Sequence, residues 1–182
     1  GVCVVLSPVR TKDKSMLLLA WFIKCMVSLF LLLFYEAHFP GDAEGYWYEP
    51  ILFHYTFMES ISPVNFNSHN MFFIVQSYNK IVPDVLKESF HSLKISFSML
   101  GLIAVYLFYR ASVLITKKEN RIYFWFLILY PSLLIYTSRI GKESVMVFGM
   151  ALYVSSLVAW HYKRRAGNIL ICFIGLLICT YM

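Results

Sequence analysis

Residues 16–35 form an apolar run with one charge, Lys24, near its middle. About 20 such residues are what an α-helix needs to cross the hydrocarbon core of a bilayer. Further runs follow at 93–115, 122–138, 145–160 and 168–182. Lipid offers no partner to an open backbone, so a run of this kind folds as a helix. The recurrence predicts an all-α integral membrane protein. Its architecture is a polytopic bundle of about five transmembrane helices with one long extracytoplasmic loop.

The chain is 59% hydrophobic and 14% charged, against about 45–50% and about 25% in soluble domains. Apolar runs along the whole length exclude a signal peptide followed by a soluble domain. The first residue is Gly1, and residues 1–8 read as the tail of an earlier apolar segment. The last run falls short of a full span. The sequence is therefore read as a fragment of a longer protein, with one transmembrane domain over 1–182.

The net charge of +6 does not point to nucleic acid, because the basic residues cluster beside apolar runs. Segments 9–15, 116–121 and 161–167 hold three Lys or Arg each. If these three are cytoplasmic, the positive-inside bias is met at every crossing. The loop 36–92 and the turn 139–144 then share the extracytoplasmic face. The loop has 57 residues, seven carboxylates and two lysines, which is long for a connector. Within it, 48–58 and 70–78 are predicted as short interfacial helices, interrupted by prolines.

Two stretches carry candidate chemistry. Gly41-Asp42-Ala43-Glu44-Gly45-Tyr46-Trp47 follows the first membrane run directly. Carboxylates held this close to lipid are functional candidates. Asp42 and Glu44 can hold one divalent cation together, or one can act as a base while the other orients a sugar hydroxyl. Tyr46 and Trp47 can stack on a sugar or sit in the interfacial aromatic belt. The plainer alternative is a hydrated turn with belt aromatics. The second stretch is Tyr136–Ser144, with Arg139 and Lys142 flanking Gly141 at a fresh helix start. Cations and free N–H groups at a helix N-terminus suit a phosphate. The plainer alternative is a lipid-anchoring turn. It is no Walker A loop, since Tyr136 stands where that motif needs its first glycine.

Other polar residues are set aside. Lys24 is expected to face the bundle interior, with no partner identifiable from sequence. His38, His54, His69 and His91 fit no metal spacing. Cys3, Cys25, Cys172 and Cys179 lie in apolar segments without a C-x-x-C spacing and are read as packing residues.

An acidic motif in the first large outer loop, directly after a membrane helix, resembles that of the GT-C superfamily. Gly41-Asp42-Ala43-Glu44-Gly45-Tyr46 is similar to its Asp/Glu loop motif. The stretch from Tyr130-Pro131-Ser132 to Ser138-Arg139-Ile140-Gly141-Lys142-Glu143 resembles membrane proteins of bacterial surface-polysaccharide clusters. The resemblance covers about residues 16–160. It implies a multi-pass glycosyltransferase of the bacterial inner membrane. Such an enzyme moves a sugar from a polyprenyl-phosphate donor to a glycan or lipid acceptor, on the extracytoplasmic face. Asp42 would take the acceptor proton, Glu44 would orient the acceptor or help hold a cation, and Arg139 and Lys142 would stabilise the leaving phosphate. Many members carry adjacent acids where this chain has Asp-x-Glu, so the identity of the base stays open. The competing functions are a polymerase or ligase using pyrophosphate-linked donors, a transporter or flippase of lipid-linked sugars, and a structural membrane subunit.

Overall fold

The apolar runs dictate helices, and helices are what forms. The structure, a computed structural model, describes residues 11–31, 34, 38, 42–52, 69–83 and 89–182. Among these there are eight α-helices and no strand. In chain order they are α1 (Thr11–Phe30), α2 (Asp42–Leu52), α3 (His69–Ile81), α4 (Phe90–Thr116), α5 (Arg121–Leu129), α6 (Pro131–Tyr136), α7 (Lys142–Lys163) and α8 (Ala166–Tyr181). The predicted segment 1–8, Gly41, His54 and residues 53–58 of the first interfacial helix lie outside the described residues.

Two helices, α4 with 27 residues and α7 with 22, are long and apolar enough to cross a membrane. The apolar α8, with 16 residues, is shorter. Helix α1 carries Lys12, Asp13, Lys14 and Lys24 in its 20 residues. The single helix predicted over 122–138 is in fact two, α5 and α6. Pro131 has no N–H to donate and pushes its predecessor toward extended backbone. Tyr130 accordingly has φ −59° and ψ 119°, and Pro131 begins the next helix, where its missing donor costs nothing. Neither piece is long enough to span alone.

The ends of the helices are set by local caps. Ser89 accepts from the Ser92 amide ahead of α4, and Asn120 Oδ1 accepts from the Ile122 and Tyr123 amides ahead of α5. At the far ends of α4 and α7 the chain turns through left-handed residues, Lys117 (φ 56°) and Arg164 (φ 51°). Their positive charges complement the C-terminal ends of those helix dipoles.

Two stretches of the predicted long loop, 42–52 and 69–83, fall within the described residues. Their helices α2 and α3 pack onto the bundle, with Trp47 and Met71 against Leu93 and Phe97 of α4 and Ile140 and Val145 near the start of α7. Phe73 of α3 also meets Tyr181 at the end of α8, edge to face. A second cluster joins Leu17 and Ala20 of α1 to Leu102 and Tyr109 of α4 and Phe124 of α5.

These contacts sort the chain between the two ends of the bundle. Lys12 pairs with Glu119 at 2.5 Å, and the Tyr106 hydroxyl donates to Asp13 at 2.9 Å. The start of α1 therefore meets the far half of α4 and the turn that follows it. Helix α7 starts beside α2 and α3 and runs about 33 Å by the usual helical rise, which takes Lys163–Arg165 to the opposite end. The first residues of α4 and α7, the last of α8, and α2 and α3 gather at the other end.

Helices α7 and α8 form a close hairpin. A Cβ on Gly175 would come 2.8 Å from the Gly149 carbonyl, and one on Gly149 would come 3.1 Å from the Gly175 carbonyl. Small residues at a crossing let two backbones touch, as in membrane helix pairs.

Candidate functional site

The acidic motif is helical. Asp42 opens α2, and the side chains one and two positions beyond it diverge as a helix requires. Ala43 and Trp47 are buried, while Glu44 and Tyr48 are exposed. Positions 42 and 44 are about 200° apart around a helix. The backbone of α2 therefore sends positions 42 and 44 toward different sides of the helix. Among the described residues no group of three or more His, Cys, Asp or Glu converges on a metal position. The carboxylate of Asp42 lies outside the described residues.

The two aromatic residues of the motif part company. Tyr46 is half-buried, with its ring edge to face on Phe72 at 6.4 Å. Trp47 is 3% exposed and sits edge to face on Phe90 at 6.1 Å. The core position follows from the helical spacing of 43 and 47, one turn apart on the inner face. Trp47 is a packing residue here, in place of the sugar-stacking role considered from sequence.

What α2 does reach is the second stretch. Ala43 and Tyr46 form one side of a cleft of about 80 Å³, and Tyr136, Arg139, Ile140, Gly141 and Glu143 form the rest. A water needs about 10–15 Å³ on this measure, so the space holds a few waters or one small anionic group. Two stretches nearly one hundred residues apart, singled out separately in the sequence, thus share one cleft. Arg139 is in its wall. Lys142, the second cation of the sequence reading, begins α7 and is half-buried outside that wall.

The electrostatics of the cleft are mixed. Gly141 precedes α7 in extended backbone, with no side-chain cap on the first turn. Its N-terminal dipole and the Arg139 guanidinium favour an anion. Glu143 counters them, with a carboxylate oxygen folded back toward Gly141. Acid in a first turn suits the dipole, so Glu143 occupies the place that a phosphate oxygen would favour.

A second cleft, of about 340 Å³, opens on the other side of Arg139. Its walls are Leu31, Pro131, Ser132, Ile135, Tyr136 and Arg139. Arg139 and Tyr136 belong to both clefts. Arg139 therefore lines both a small polar space and a larger, mainly apolar one. That combination suits an amphiphile whose charged head meets Arg139 and whose chain follows the apolar walls.

Sequence reasoning placed Lys24 in the interior without a partner, and it missed a second interior cation, Lys94. Lys24 is fully buried and donates to Thr137 Oγ1 at 2.6 Å and to Ser138 Oγ at 3.2 Å. Lys94 is 3% exposed and lines a cleft between α1 and α4 with Cys25, Ser28 and His91. Lys94 stood in a run otherwise read as lipid-spanning, and its charge there was the available signal. No family model, curated protein or solved structure matches the chain.

Proposed function

We propose that this chain is the core of a membrane glycosyltransferase that takes a sugar from a polyprenyl-phosphate donor at the extracytoplasmic surface. The observation that carries the reading is Arg139, in the wall shared by the polar cleft beside α2 and the apolar cleft beside α6. A polyprenyl phosphate has this shape of chemistry, a charged head on a long apolar chain. Arg139 and the first amides of α7, with the Glu143 carboxylate displaced, bind the phosphate and take up the charge that grows on it as the sugar leaves. Asp42, at the start of α2, takes the proton from the acceptor hydroxyl. Tyr46 forms part of the wall of the polar cleft. The cleft itself is too small for a hexose, so the sugar lies at its mouth.

The membrane reading rests on α4 and α7, with α1, α5–α6 and α8 completing a five-segment bundle around them. Segments 9–15, 116–121 and 161–167 face the cytoplasm, and α2, α3 and the Arg139 turn lie outside. The pairing of Lys12 with Glu119 supports a shared side for two of the basic segments, and the positive-inside bias assigns that side to the cytoplasm.

The test is complementation by the full-length gene carrying Asp42→Asn, with surface polysaccharide and membrane expression both read. Loss of polysaccharide at normal expression supports a carboxylate-dependent transferase. Retained polysaccharide removes Asp42 from the chemistry. A polymerase or ligase acting on pyrophosphate-linked donors is the second reading, favoured by the central place of Arg139 in both clefts. For it, Arg139→Ala abolishes polysaccharide and Asp42→Asn does not.

A further inference from the structure

The turn that carries Arg139 is held from behind by a buried cation. Lys24 lies near the middle of α1 and has no solvent exposure. A lysine on a lipid face snorkels its charge to the interface. This one points inward, where an ammonium without acceptors is strongly disfavoured. Its acceptors are the hydroxyls of Thr137 and Ser138, both fully buried. Each hydroxyl then donates to a carbonyl one turn back, Thr137 to Leu133 and Ser138 to Leu134 at 2.6 Å.

Other contacts fix the same few residues. Ser28, one turn beyond Lys24 on α1, donates to the Ser138 carbonyl at 2.7 Å. Ser144, buried in the first turn of α7, has its hydroxyl 3.0 Å from the Arg139 carbonyl and 3.1 Å from that of Tyr136. From α4, Gly101 presses directly on Thr137. A methionine would fill the space of Lys24 without burying charge. What it could not do is hold two hydroxyls at once.

We propose that Lys24 is a positioning residue. Its ammonium fixes Thr137 and Ser138, and through them sets the backbone on which Arg139 and Gly141 meet the ligand. This rests on the reading of the Arg139 cleft as a phosphate site. Lys24 itself touches no ligand. Its role is preorganisation, since a displaced cation loses most of its value for binding.

The experiment uses the full-length protein in nanodiscs, with undecaprenyl phosphate as the probe. Binding and amide hydrogen exchange over 136–144 are measured for wild type, Lys24→Met, Thr137→Val, Thr137→Ser and Arg139→Ala. Lys24→Met is expected to weaken binding about tenfold and to speed exchange at 136–141, with the α7–α8 hairpin unchanged. Thr137→Val does the same and carries the test if Lys24→Met fails to accumulate. Thr137→Ser, which keeps the hydroxyl, stays near wild type. In an Arg139→Ala background Lys24→Met causes a much smaller loss, that of the Gly141 contact alone. If Lys24→Met and Thr137→Val bind and exchange as wild type while Arg139→Ala binds weakly, the role of Lys24 is overturned and the site stands. An undiminished Lys24→Met effect without the Arg139 side chain also overturns it. If Arg139→Ala binds as wild type, it is the site that fails.

Discussion

Lys24 Nζ lies 2.6 Å from Thr137 Oγ1, although 113 residues separate them in sequence and both side chains are buried. This one contact ties the middle of α1 to the turn between α6 and α7. It also makes the space around Thr137 critical. A Cβ on Gly101 would stand 2.6 Å from the Thr137 carbonyl oxygen and 2.8 Å from Oγ1. Backbone must move to admit it. Gly101→Ala is expected to lower stability by about 1–3 kcal/mol, seen as a lower unfolding midpoint in detergent. An unchanged midpoint would mean that α4 and the turn can separate freely.

The α7–α8 hairpin depends on its two glycines. Gly175→Leu places a side chain where the Tyr153 amide and Gly149 carbonyl now lie. It should open the hairpin and sharply increase protease cleavage near Arg164. Gly167→Ala is the control, because nothing lies within 4 Å of its added Cβ. That change should be neutral or stabilise by up to about 1 kcal/mol through helix propensity. Equal effects of the two substitutions would remove the crossing as the cause.

Two neighbouring residues at the start of α1 should behave differently. Lys12 and Glu119 are half and 37% exposed, and exposed ion pairs contribute about 0–1 kcal/mol. Asp13 is 5% exposed and accepts from the Tyr106 hydroxyl. Asp13→Ala strands buried polar groups and should cost about 1–3 kcal/mol, whereas Lys12→Ala should cost less and lose its effect in high salt. Thermal unfolding of both variants at low and high salt compares them.

Glu143 competes for the anion position at Gly141. Glu143→Gln removes that negative charge and keeps the shape. Binding of undecaprenyl phosphate should tighten several-fold, more at low salt than at high. Weaker binding would show that the carboxylate helps the ligand rather than excluding it.

Much of this fold is written in local pattern. The apolar runs mark α1, α4, α7 and α8, because a long apolar run needs little beyond its composition to fold as a helix. The break at Tyr130–Pro131 was also in the sequence, but the apolar run continues across it and hides the proline. Helix α2 was obscured by Gly41 and Gly45, which suggest a turn. Its helical signal was the spacing of Ala43, Tyr46 and Trp47. The shared cleft was legible only coarsely, as two stretches on one face. The hold of Lys24 on Thr137 was not legible, since no local pattern links residues so far apart. That positions 42 and 44 lie on different sides of α2 followed only once their backbone was known to be helical.

The most direct measurement is sugar transfer from a polyprenyl-phosphate donor by the full-length protein in vesicles, wild type against Arg139→Ala at matched expression. A fall in kcat/KM of about a hundredfold is expected, the usual cost of one lost group that stabilises transition-state charge. Transfer by Arg139→Ala within twofold of wild type would contradict it, as would no transfer by the wild-type protein from any such donor.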